Sequence, residues 1–495
     1  MLCVTLGRSR HAKMIEAHRE LVDEGARLVE LRVDYVGRAV NMTRLTRDRP
    51  GPVVVTARRR ADGGRWLRTE EEREACLRTA IVEGVEFVDL EADAAAKIPR
   101  YGTTKRIVSY HDFDETPEDL ESLHAALASE DADIVKIATM ATTFEDNLRM
   151  MRLVREAKIP TIGICMGELG LITRIMGPRL GSPFTYATYS KEKEMAPGLL
   201  GWQELRDLYR YQSIDDDTRW YGVIGDPIAH SYSPLIHNRA FEALEINARY
   251  LPFRVPREDL QSFIRHVTAM NVSGLSVTIP NKEAAMRSCT QTEKSCGGIG
   301  AINTMVFEGS EIKGYNTDYR AAMDCIESAM KLDARPRNMH GKTALVLGAG
   351  GVSRAIAYGL KHRGCEVYLS SRTLERVEVL AAELGCRVID WDRRHDPRVH
   401  LLVNGTPVGM HPDVDSSPYR EAAINDMMTV FDTVYNPENT LLIKRARKRN
   451  ARVITGVDMF VRQAAYQFKL FTGREAPDDL MRRTIKEATN PVRVN

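Results

Sequence analysis

A lysine and a histidine stand in two neighbouring apolar segments where charged groups are unusual. Lys136 lies inside DADIVKIATM, and His111 lies inside RIVSYHDF. A lysine that is desolvated near other cations has a lowered pKa and can attack a carbonyl carbon to form a Schiff base. Histidine is the usual proton carrier beside such a group. The pair therefore predicts imine-forming chemistry. The alternative is a solvated edge-strand residue, which is what a lone lysine in a strand usually is.

Three more charged residues stand in segments of the same kind. Glu30 and Arg32 alternate with apolar residues in LVELRVD, and Arg58 follows VVVTA. Period-two geometry places alternate side chains on one face of a strand. We expect these three side chains to share a pocket with Lys136 and His111.

Eight β-rich runs alternate with amphipathic stretches up to about residue 213. They are CVTLG, LVELRVD, VVVTAR, FVDLEA, RIVSYHDF, DIVKIATM, TIGICMG and FTYAT. Eight such units predict a (β/α)8 barrel, which places catalytic groups at the carboxyl ends of its strands. An acidic stretch, YQSIDDDTRW, ends this half, and we place the domain boundary near residue 217.

A second chemistry is indicated by TALVLGAGGVSRAIAYGL, from Thr343 to Leu360. A strand, a glycine turn and a helix follow in order, and in this context backbone amides and a helix N-terminus bind a pyrophosphate. The predicted cofactor contacts in the turn are Gly348, Ala349, Gly350, Gly351 and Val352. A glycine turn that serves only packing is the alternative.

The next strand, CEVYLSSRT, predicts which dinucleotide binds. An NAD enzyme would place Asp or Glu against the ribose hydroxyls, whereas this chain has Ser371, Arg372 and Thr373. These residues fit a 2′-phosphate, and we expect Arg354, early in the preceding helix, to add a second cation. NADP is therefore favoured over NAD.

Polar clusters precede this module in GDPIAHSYSPLIHN, LSVTIPNKEAAM, GAINTM and GYNTD. Their hydroxyl, amide, ammonium and carboxylate groups fit a polyhydroxylated acid and come from Ser231, Ser233, Thr278, Lys282, Asn303 and Asp318. Reduction of a ketone needs a proton as hydride arrives, and a Lys–Asp pair can supply one. Each motif alone is also a common turn, helix start or cap. Together, before a dinucleotide module, they predict a dehydrogenase.

Composition limits the partners and the compartment. The chain has 495 residues and a formal net charge of +2, which gives no general attraction to nucleic acid or to an anionic membrane. The basic run from Lys444 to Arg449 is interpreted as the solvated face of a helix.

Eight scattered cysteines show no disulfide or metal spacing, so we expect no metal. The chain opens on MLCVTLG without a charged leader, and no apolar run could span a bilayer. We therefore expect a cytoplasmic protein whose partners are small molecules or, in a homo-oligomer, itself.

Five motifs of the first half are ELRVD, TARRRADGG, SYHDF, VKIATM and GLITRIMG. With them, this half resembles type I 3-dehydroquinate dehydratase. The resemblance implies that Lys136 forms the Schiff base with the substrate ketone and that His111 moves the protons for loss of water. It also implies that the substrate hydroxyls and carboxylate are held by Glu30, Arg32, Arg58 and Arg174.

Two positions depart from the pattern of that family. Asp62 stands where the family has a glutamate that orients the catalytic histidine, and we count Asp62 among the substrate-pocket residues. The loop that closes over substrate usually reads S-A-P-G-Q, whereas this chain has Met195 and Leu199 at its two polar positions. We expect weaker closure, or a substitute contact from Glu194 or Lys193.

The polar clusters of the second half, with NGTPVGMHP, VYNPENT and GVDMFVRQAAYQF, resemble shikimate dehydrogenase from about Tyr221 onwards. The resemblance implies that Lys282 and Asp318 form the catalytic pair. Substrate-binding residues are implied at Ser231, Ser233, Thr278, Asn303, Tyr435 and Gln463. Cofactor contacts are implied at Thr406 and Gly456. Ser276 stands where the family commonly has asparagine, and Ser371 where it commonly has the first residue of N-R-T.

The two resemblances support each other, because the first reaction makes the ketone that the second reduces. We therefore predict an α/β protein with an N-terminal (β/α)8 barrel and a two-lobed shikimate dehydrogenase-like domain containing a Rossmann lobe. The predicted divisions are 1–217, 218–325, 326–460 and 461–495, the last returning to the substrate lobe. A metabolite-sensing repressor or scaffold is one alternative. A dehydratase fused to a quinate dehydrogenase is another, although the S-x-S pair favours shikimate.

Overall fold

The structure of the protein is a computed structural model that describes residues 1–189, 198–229, 231–330 and 339–489. The chain forms two compact units, Met1–Thr218 and Arg219–Asn495. Among the described residues, none of the helices has the length and apolar character needed to cross a membrane.

The first unit, in its described part, is a nearly closed barrel of eight parallel strands. They are β1 Leu2–Leu6, β2 Val29–Arg32, β3 Val53–Thr56, β4 Phe87–Glu91, β5 Lys105–Asp112, β6 Ile134–Met140, β7 Thr161–Met166 and β8 Thr185–Thr188. The hydrogen-bonded order is β7-β6-β5-β4-β3-β2-β1-β8, and no ladder between described residues joins β7 to β8. The predicted barrel and its strands are confirmed.

Helices cover the outside of this barrel. They are α1 His11–Asp23, α2 Met42–Thr46, α3 Glu70–Val82, α4 Ala92–Lys97, α5 Leu120–Ser129, α6 Phe144–Glu156 and α7 Gly167–Met176, and a π-helix follows at Glu204–Leu208. Because the strands are covered on both faces, most of their residues are buried and apolar. Inside the barrel, Ile134 and Ala138 belong to the apolar core on either side of Lys136 in β6. The strand pattern therefore turns the Lys136 side chain inward.

The second unit has two sheets, each of six strands in the described residues. The first has the order β10-β9-β11-β13-β14-β12 and mixes parallel and antiparallel pairs. Its strands are β9 Arg219–Gly225, β10 Ala248–Arg254, β11 Val272–Val277, β12 Gln291–Thr292, β13 Thr304–Glu308 and β14 Glu311–Tyr315. The second is fully parallel, in the order β17-β16-β15-β18-β19-β20. Its strands are β15 Thr343–Leu347, β16 Glu366–Ser370, β17 Arg387–Val388, β18 Leu401–Asn404, β19 Thr429–Asp432 and β20 Arg452–Ile454.

Helices flank both sheets of the second unit. They are α8 Ser233–Ala243, α9 Leu260–Ala269, α10 Lys282–Met286, α11 Lys294–Ile299, α12 Thr317–Ala329, α13 Gly351–His362, α14 Leu374–Leu384, α15 Leu441–Lys448, α16 Gly456–Thr472 and α17 Asp478–Thr489. The last two pack against the first sheet, because Phe468 and Ile485 share a core with Phe241 and Tyr250. The predicted two-lobed α/β architecture is confirmed.

We predict that Phe468→Ala destabilises the second unit. The Phe468 ring is fully buried and lies 5.4 Å from the Phe241 ring, so its removal leaves a cavity where α16 meets the first sheet. We expect a loss of about 3–5 kcal/mol in the free energy of unfolding, seen as a lower calorimetric midpoint. The control is Met427→Ala, because the Met427 side chain is 82% exposed. Equal midpoints for the two variants would contradict the packing described.

Candidate active sites

One pocket in the first unit collects the charged side chains predicted for this half. Its walls contain Thr5, Glu30, Arg32, Arg58, Asp62, Gly63, His111, Phe113, Lys136, Ala138, Ile164, Met166, Arg174, Tyr186 and Leu199. All seven residues predicted as catalytic or substrate-binding in the barrel are in this set. Of the predicted closing loop, Leu199 lines the pocket, whereas Met195, Glu194 and Lys193 lie outside the described residues.

Lys136 is buried in this pocket between a carboxylate and an aromatic ring. Its Nζ donates to Asp89 Oδ2 at 3.0 Å and lies 4.0 Å from the centroid of the Tyr186 ring. Only 5% of Lys136 is exposed. The sequence predicted Glu30 as an anion in this pocket, and the structure adds Asp89 as the carboxylate that contacts the amine directly.

Asp89 belongs to a buried network of alternating charges. Arg58 donates to Asp89 Oδ1 at 2.7 Å and to Glu91 Oε1 at 2.6 Å, and Arg73 donates to Glu91 Oε2 at 2.6 Å. Burial alone would raise the pKa of Asp89, but Arg58 and Lys136 hold it well below its ordinary value. Asp89 was missed as a site residue, although its alternation with Glu91 in FVDLEA places both on one face of β4.

His111 offers a neutral imidazole beside Lys136. Burial, with Arg58 and Lys136 nearby, lowers the pKa of His111 well below the ordinary 6.5. Its Nδ1 is enclosed and has no hydrogen-bond partner among the described residues. A neutral imidazole near neutral pH can accept a proton, which is the property that a general base needs.

Asp62 lines the pocket but is held by another residue. Its carboxylate accepts from Arg59 Nε at 2.6 Å, and no hydrogen bond joins it to His111 in the described part of the chain. In the family that this half resembles, the residue at this position orients the catalytic histidine. Here Asp62 pairs with Arg59 instead, because the Arg59 guanidinium, which also donates to Asp93, attracts the shorter side chain.

Two other predicted substrate contacts, Glu30 and Arg32, are also held by partners. Glu30 accepts from Thr56 at 2.7 Å, and Arg32 makes a bidentate pair with Asp34 at 2.8 Å for both bonds. Asp34 was not predicted, although it lies two residues after Arg32 in ELRVD. These bonds fix the direction in which each charged group faces the pocket.

A second pocket, in the second unit, collects the polar clusters of that half. Its walls contain Val223, Asp226, Pro227, Ile228, Ser231, Ser233, Ser276, Val277, Thr278, Ile279, Lys282, Asn303, Asp318, Val352, Met410, Thr433, Tyr435, Gly456, Met459, Phe460, Gln463 and Gln467. All eight residues predicted as catalytic or substrate-binding in this half are included.

Lys282 and Asp318 form a close ion pair in this pocket. Lys282 Nζ donates to Asp318 Oδ2 at 2.5 Å. Lys282 begins α10, and Asp318 lies in the first turn of α12, whose N-cap Asn316 accepts from the Tyr319 amide. Two helix starts therefore bring an ammonium and a carboxylate together.

Gln467 was not predicted from the sequence, and it links three elements at the wall of this pocket. It accepts from Ser276 at 2.8 Å and donates to the Asn303 carbonyl and to Thr304, both at 3.1 Å. The Asn303 side chain is itself bonded to Thr317 at 2.9 Å. A polar residue four positions after Gln463 on the same helix face was the available signal.

The predicted dinucleotide turn joins β15 to α13. Gly348 has φ of +102°, and a Cβ there would lie 2.9 Å from the Gly405 carbonyl, so only glycine fits. Gly350 is the N-cap of α13, and Ala349, Gly351 and Val352 complete the turn and first helical residues. Thr406 follows β18, the neighbour of β15, and donates to Asn404 at 2.6 Å. A helix start preceded by a turn with glycine at positions 348, 350 and 351 fits a pyrophosphate, because glycine lets the phosphate approach the backbone amides closely.

Of the two arginines predicted to bind a 2′-phosphate, Arg372 is exposed and Arg354 is paired with a carboxylate. Ser371, Arg372 and Thr373 follow β16, and Arg372 is exposed there. Arg354 instead pairs with Glu383 of α14, because that carboxylate lies within reach of its guanidinium. An exposed arginine that the prediction omitted, Arg376, stands in the first turn of α14. Arg372 is therefore the predicted cation that remains open to a phosphate.

Comparisons with known proteins agree with both pockets. Family models match as Type I 3-dehydroquinase over residues 2–216, Shikimate dehydrogenase substrate binding domain over 223–305, and Shikimate 5'-dehydrogenase C-terminal domain over 456–486. Shikimate dehydrogenase (NADP(+)) of Methanopyrus kandleri is 39% identical and covers 56% of this chain and 97% of its own. A solved shikimate dehydrogenase in complex with NADP+ is 33% identical, with a TM-score of 0.52 over 56% of this chain and 98% of its own.

A plant relative spans both units. The bifunctional 3-dehydroquinate dehydratase/shikimate dehydrogenase, chloroplastic, of Arabidopsis thaliana is 36% identical over 97% of this chain and 83% of its own length. With its barrel and its two-lobed dinucleotide domain, the chain belongs to the bifunctional 3-dehydroquinate dehydratase/shikimate dehydrogenase family.

Proposed function

We propose that the protein catalyses two consecutive reactions of the shikimate pathway. The first unit dehydrates 3-dehydroquinate to 3-dehydroshikimate through a Schiff base, and the second reduces that ketone to shikimate with NADPH. The observation that carries the proposal is the buried Lys136 amine, placed in one pocket with a histidine whose lowered pKa keeps it neutral. The plant relative is named for both activities, and both sets of side chains are present here.

In the dehydration, the Lys136 ammonium gives one proton to the neutral His111, and the resulting amine attacks the ketone carbon. His111 returns that proton to the carbonyl oxygen, which takes a second proton from the nitrogen. A C–N bond forms, and the carbonyl oxygen leaves as water, which produces an iminium. The iminium acidifies the neighbouring C–H bond, and His111 takes that proton. His111 then protonates the leaving hydroxyl, which departs as a second water. Hydrolysis of the imine consumes one water and frees Lys136, so the net loss is one water.

Substrate position in the first pocket depends on fixed charges. We assign the hydroxyls and carboxylate of the substrate to Glu30, Arg32, Arg58 and Arg174, with Asp62 at the pocket wall. Because Glu30, Arg32 and Arg58 are already held by buried partners, they meet the substrate without first losing side-chain freedom.

In the reduction, Lys282 donates a proton to the ketone oxygen while Asp318 holds the ammonium in place. When bound, NADPH supplies the hydride for the ketone carbon. We assign the substrate carboxylate to Ser231 and Ser233, and the ring hydroxyls to Thr278, Asn303, Tyr435 and Gln463. We assign the cofactor to Gly348, Ala349, Gly350, Gly351, Val352, Thr406, Gly456, Ser371, Arg372 and Thr373.

The same proposal covers the domains and the compartment. We assign residues 1–217 to the dehydratase, 218–325 to the substrate lobe, 326–460 to the NADP lobe and 461–495 to the returning helices. All eight cysteines lie in the described part of the chain and are unpaired, which supports a reducing, cytoplasmic location.

We predict that Lys136→Ala separates the two activities. The variant lacks the imine-forming amine, so NADPH consumption with 3-dehydroquinate should be lost, while consumption with 3-dehydroshikimate should continue. Borohydride with 3-dehydroquinate should add a substrate-sized mass to the unchanged protein and not to the variant. The control is Lys158→Ala, at an exposed position of the same unit. Equal adducts on both variants would show that Lys136 is not the nucleophile.

We predict that dehydration keeps its full rate at pH 6.5. A general base works when deprotonated, and burial beside two cations lowers the pKa of His111 well below 6.5. The kcat/KM of dehydration should therefore fall only below that pH, whereas an ordinary histidine would be half protonated there. His111→Ala should lower kcat by about 10²–10⁴-fold. A half-maximal kcat/KM at pH 6.5 would contradict the burial described.

We predict that Arg372→Ala weakens the preference for NADPH. The exposed guanidinium is positioned for the 2′-phosphate, and a charged hydrogen bond is worth roughly 1.5–3 kcal/mol. The KM for NADPH should rise by roughly 10–150-fold, while the KM for NADH should stay nearly constant. Arg393→Ala, at a side chain 77% exposed in the same lobe, is the control. If the KM values for NADPH and NADH change in parallel, Arg372 does not contact the 2′-phosphate.

A further inference from the structure

A tyrosine ring faces the nitrogen that the dehydration uses. Tyr186 lies in β8 and is 4% exposed, and the centroid of its ring is 4.0 Å from Lys136 Nζ. Asp89 contacts the same nitrogen at 3.0 Å. The amine therefore has a carboxylate and an aromatic face as its neighbours. Tyr186 is not among the site residues predicted from the sequence.

The hydroxyl of Tyr186 does not explain why this tyrosine lies beside the Lys136 nitrogen. Its oxygen is buried and has no hydrogen-bond partner within the described ranges. Burial and the charge of Glu30 raise the pKa of the phenol well above its ordinary value, so the group stays neutral and is no base. A buried hydroxyl without a partner destabilises the fold. The useful part of the side chain is its ring.

We propose that Tyr186 is a catalytic residue of the dehydration site, whose ring face stabilises the positive charge on the Lys136 nitrogen while that nitrogen is bonded to substrate. The proposal rests on the Schiff-base function assigned to the first unit. An aromatic face carries negative charge density and attracts a cation within about 6 Å of its centroid.

The chemistry of the nitrogen explains why a ring is useful here. The free ammonium has three N–H groups, whereas the iminium formed after loss of water is planar, has one N–H and keeps the positive charge. Asp89 can accept that single N–H. The ring needs no hydrogen bond, so it can stabilise the flat side of the iminium, which has no donor to offer.

The test compares side chains that keep or lose the ring. Tyr186→Phe keeps the face and should change kcat for 3-dehydroquinate by less than about twofold. Tyr186→Met removes the face and should lower kcat by roughly 2- to 30-fold, with a smaller change in KM because other residues hold the substrate. In Tyr186→Met, the fraction of enzyme that borohydride traps during turnover should fall together with kcat.

A second test uses a graded series of side chains at position 186 that does not depend on whether Tyr186→Met folds. Phenylalanine analogues at position 186 with one, two and three ring fluorines keep the shape of the side chain but weaken the negative face. We expect kcat to fall stepwise along the series, while the thermal midpoint stays constant. This result would support the proposal even if Tyr186→Met does not fold.

Other outcomes would overturn it. A constant kcat across the fluorinated series would show that the ring charge has no role, and equal losses in the Phe and Met variants would point to the hydroxyl. If the unchanged protein forms no borohydride adduct with 3-dehydroquinate, the Schiff-base function fails, and this inference fails with it. The adduct on the unchanged protein therefore separates the two failures.

Discussion

The arrangement of the barrel site depends on one buried carboxylate. Asp89 accepts hydrogen bonds from Arg58 at 2.7 Å, Ser109 at 2.6 Å and Lys136 at 3.0 Å. A buried carboxylate without partners would be strongly unfavourable, so these three donors stabilise Asp89 in its buried position. They come from β5, from β6 and from the segment after β3, on either side of β4. The same three contacts therefore link β4 to β5, to β6 and to the segment after β3, and they hold the Lys136 amine in position.

In the second unit, a neutral amide side chain joins segments of the pocket that are distant in the chain. Its pocket draws on segments as far apart in the chain as Ser231 and Gln467. Gln467 joins α16 to β11 and β13, so the last long helix is tied to the sheet that carries Ser276 and Thr304. Lys282 also passes close to the dinucleotide turn, because a Cβ on Gly351 would lie 3.3 Å from its Cδ. Lys282 and the predicted cofactor turn are thus adjacent within this unit.

Local patterns predicted much of this structure. The eight strands, the glycine turn and both pockets follow from short motifs whose periodicity is visible in the sequence. Partners distant in the chain could not be predicted in this way. Nothing near Arg354 indicates that Glu383, on the next helix, pairs with it, and nothing near Lys136 indicates Asp89. Charged residues were found from their own context, whereas their pairing depends on tertiary packing.

The two neighbours of the Lys136 nitrogen, Asp89 and Tyr186, lie on strands that are paired differently. Asp89 is in β4, which is paired on both edges, with β3 and with β5. Tyr186 is in β8, which pairs with β1, where it is in register with Cys3, and which forms no ladder to β7 among the described residues. Phe184 packs edge-on against the Tyr186 ring at 5.6 Å. The carboxylate beside the amine is therefore carried by a strand that is hydrogen-bonded on both edges, whereas the aromatic ring is carried by a strand with one ladder in the described part of the chain.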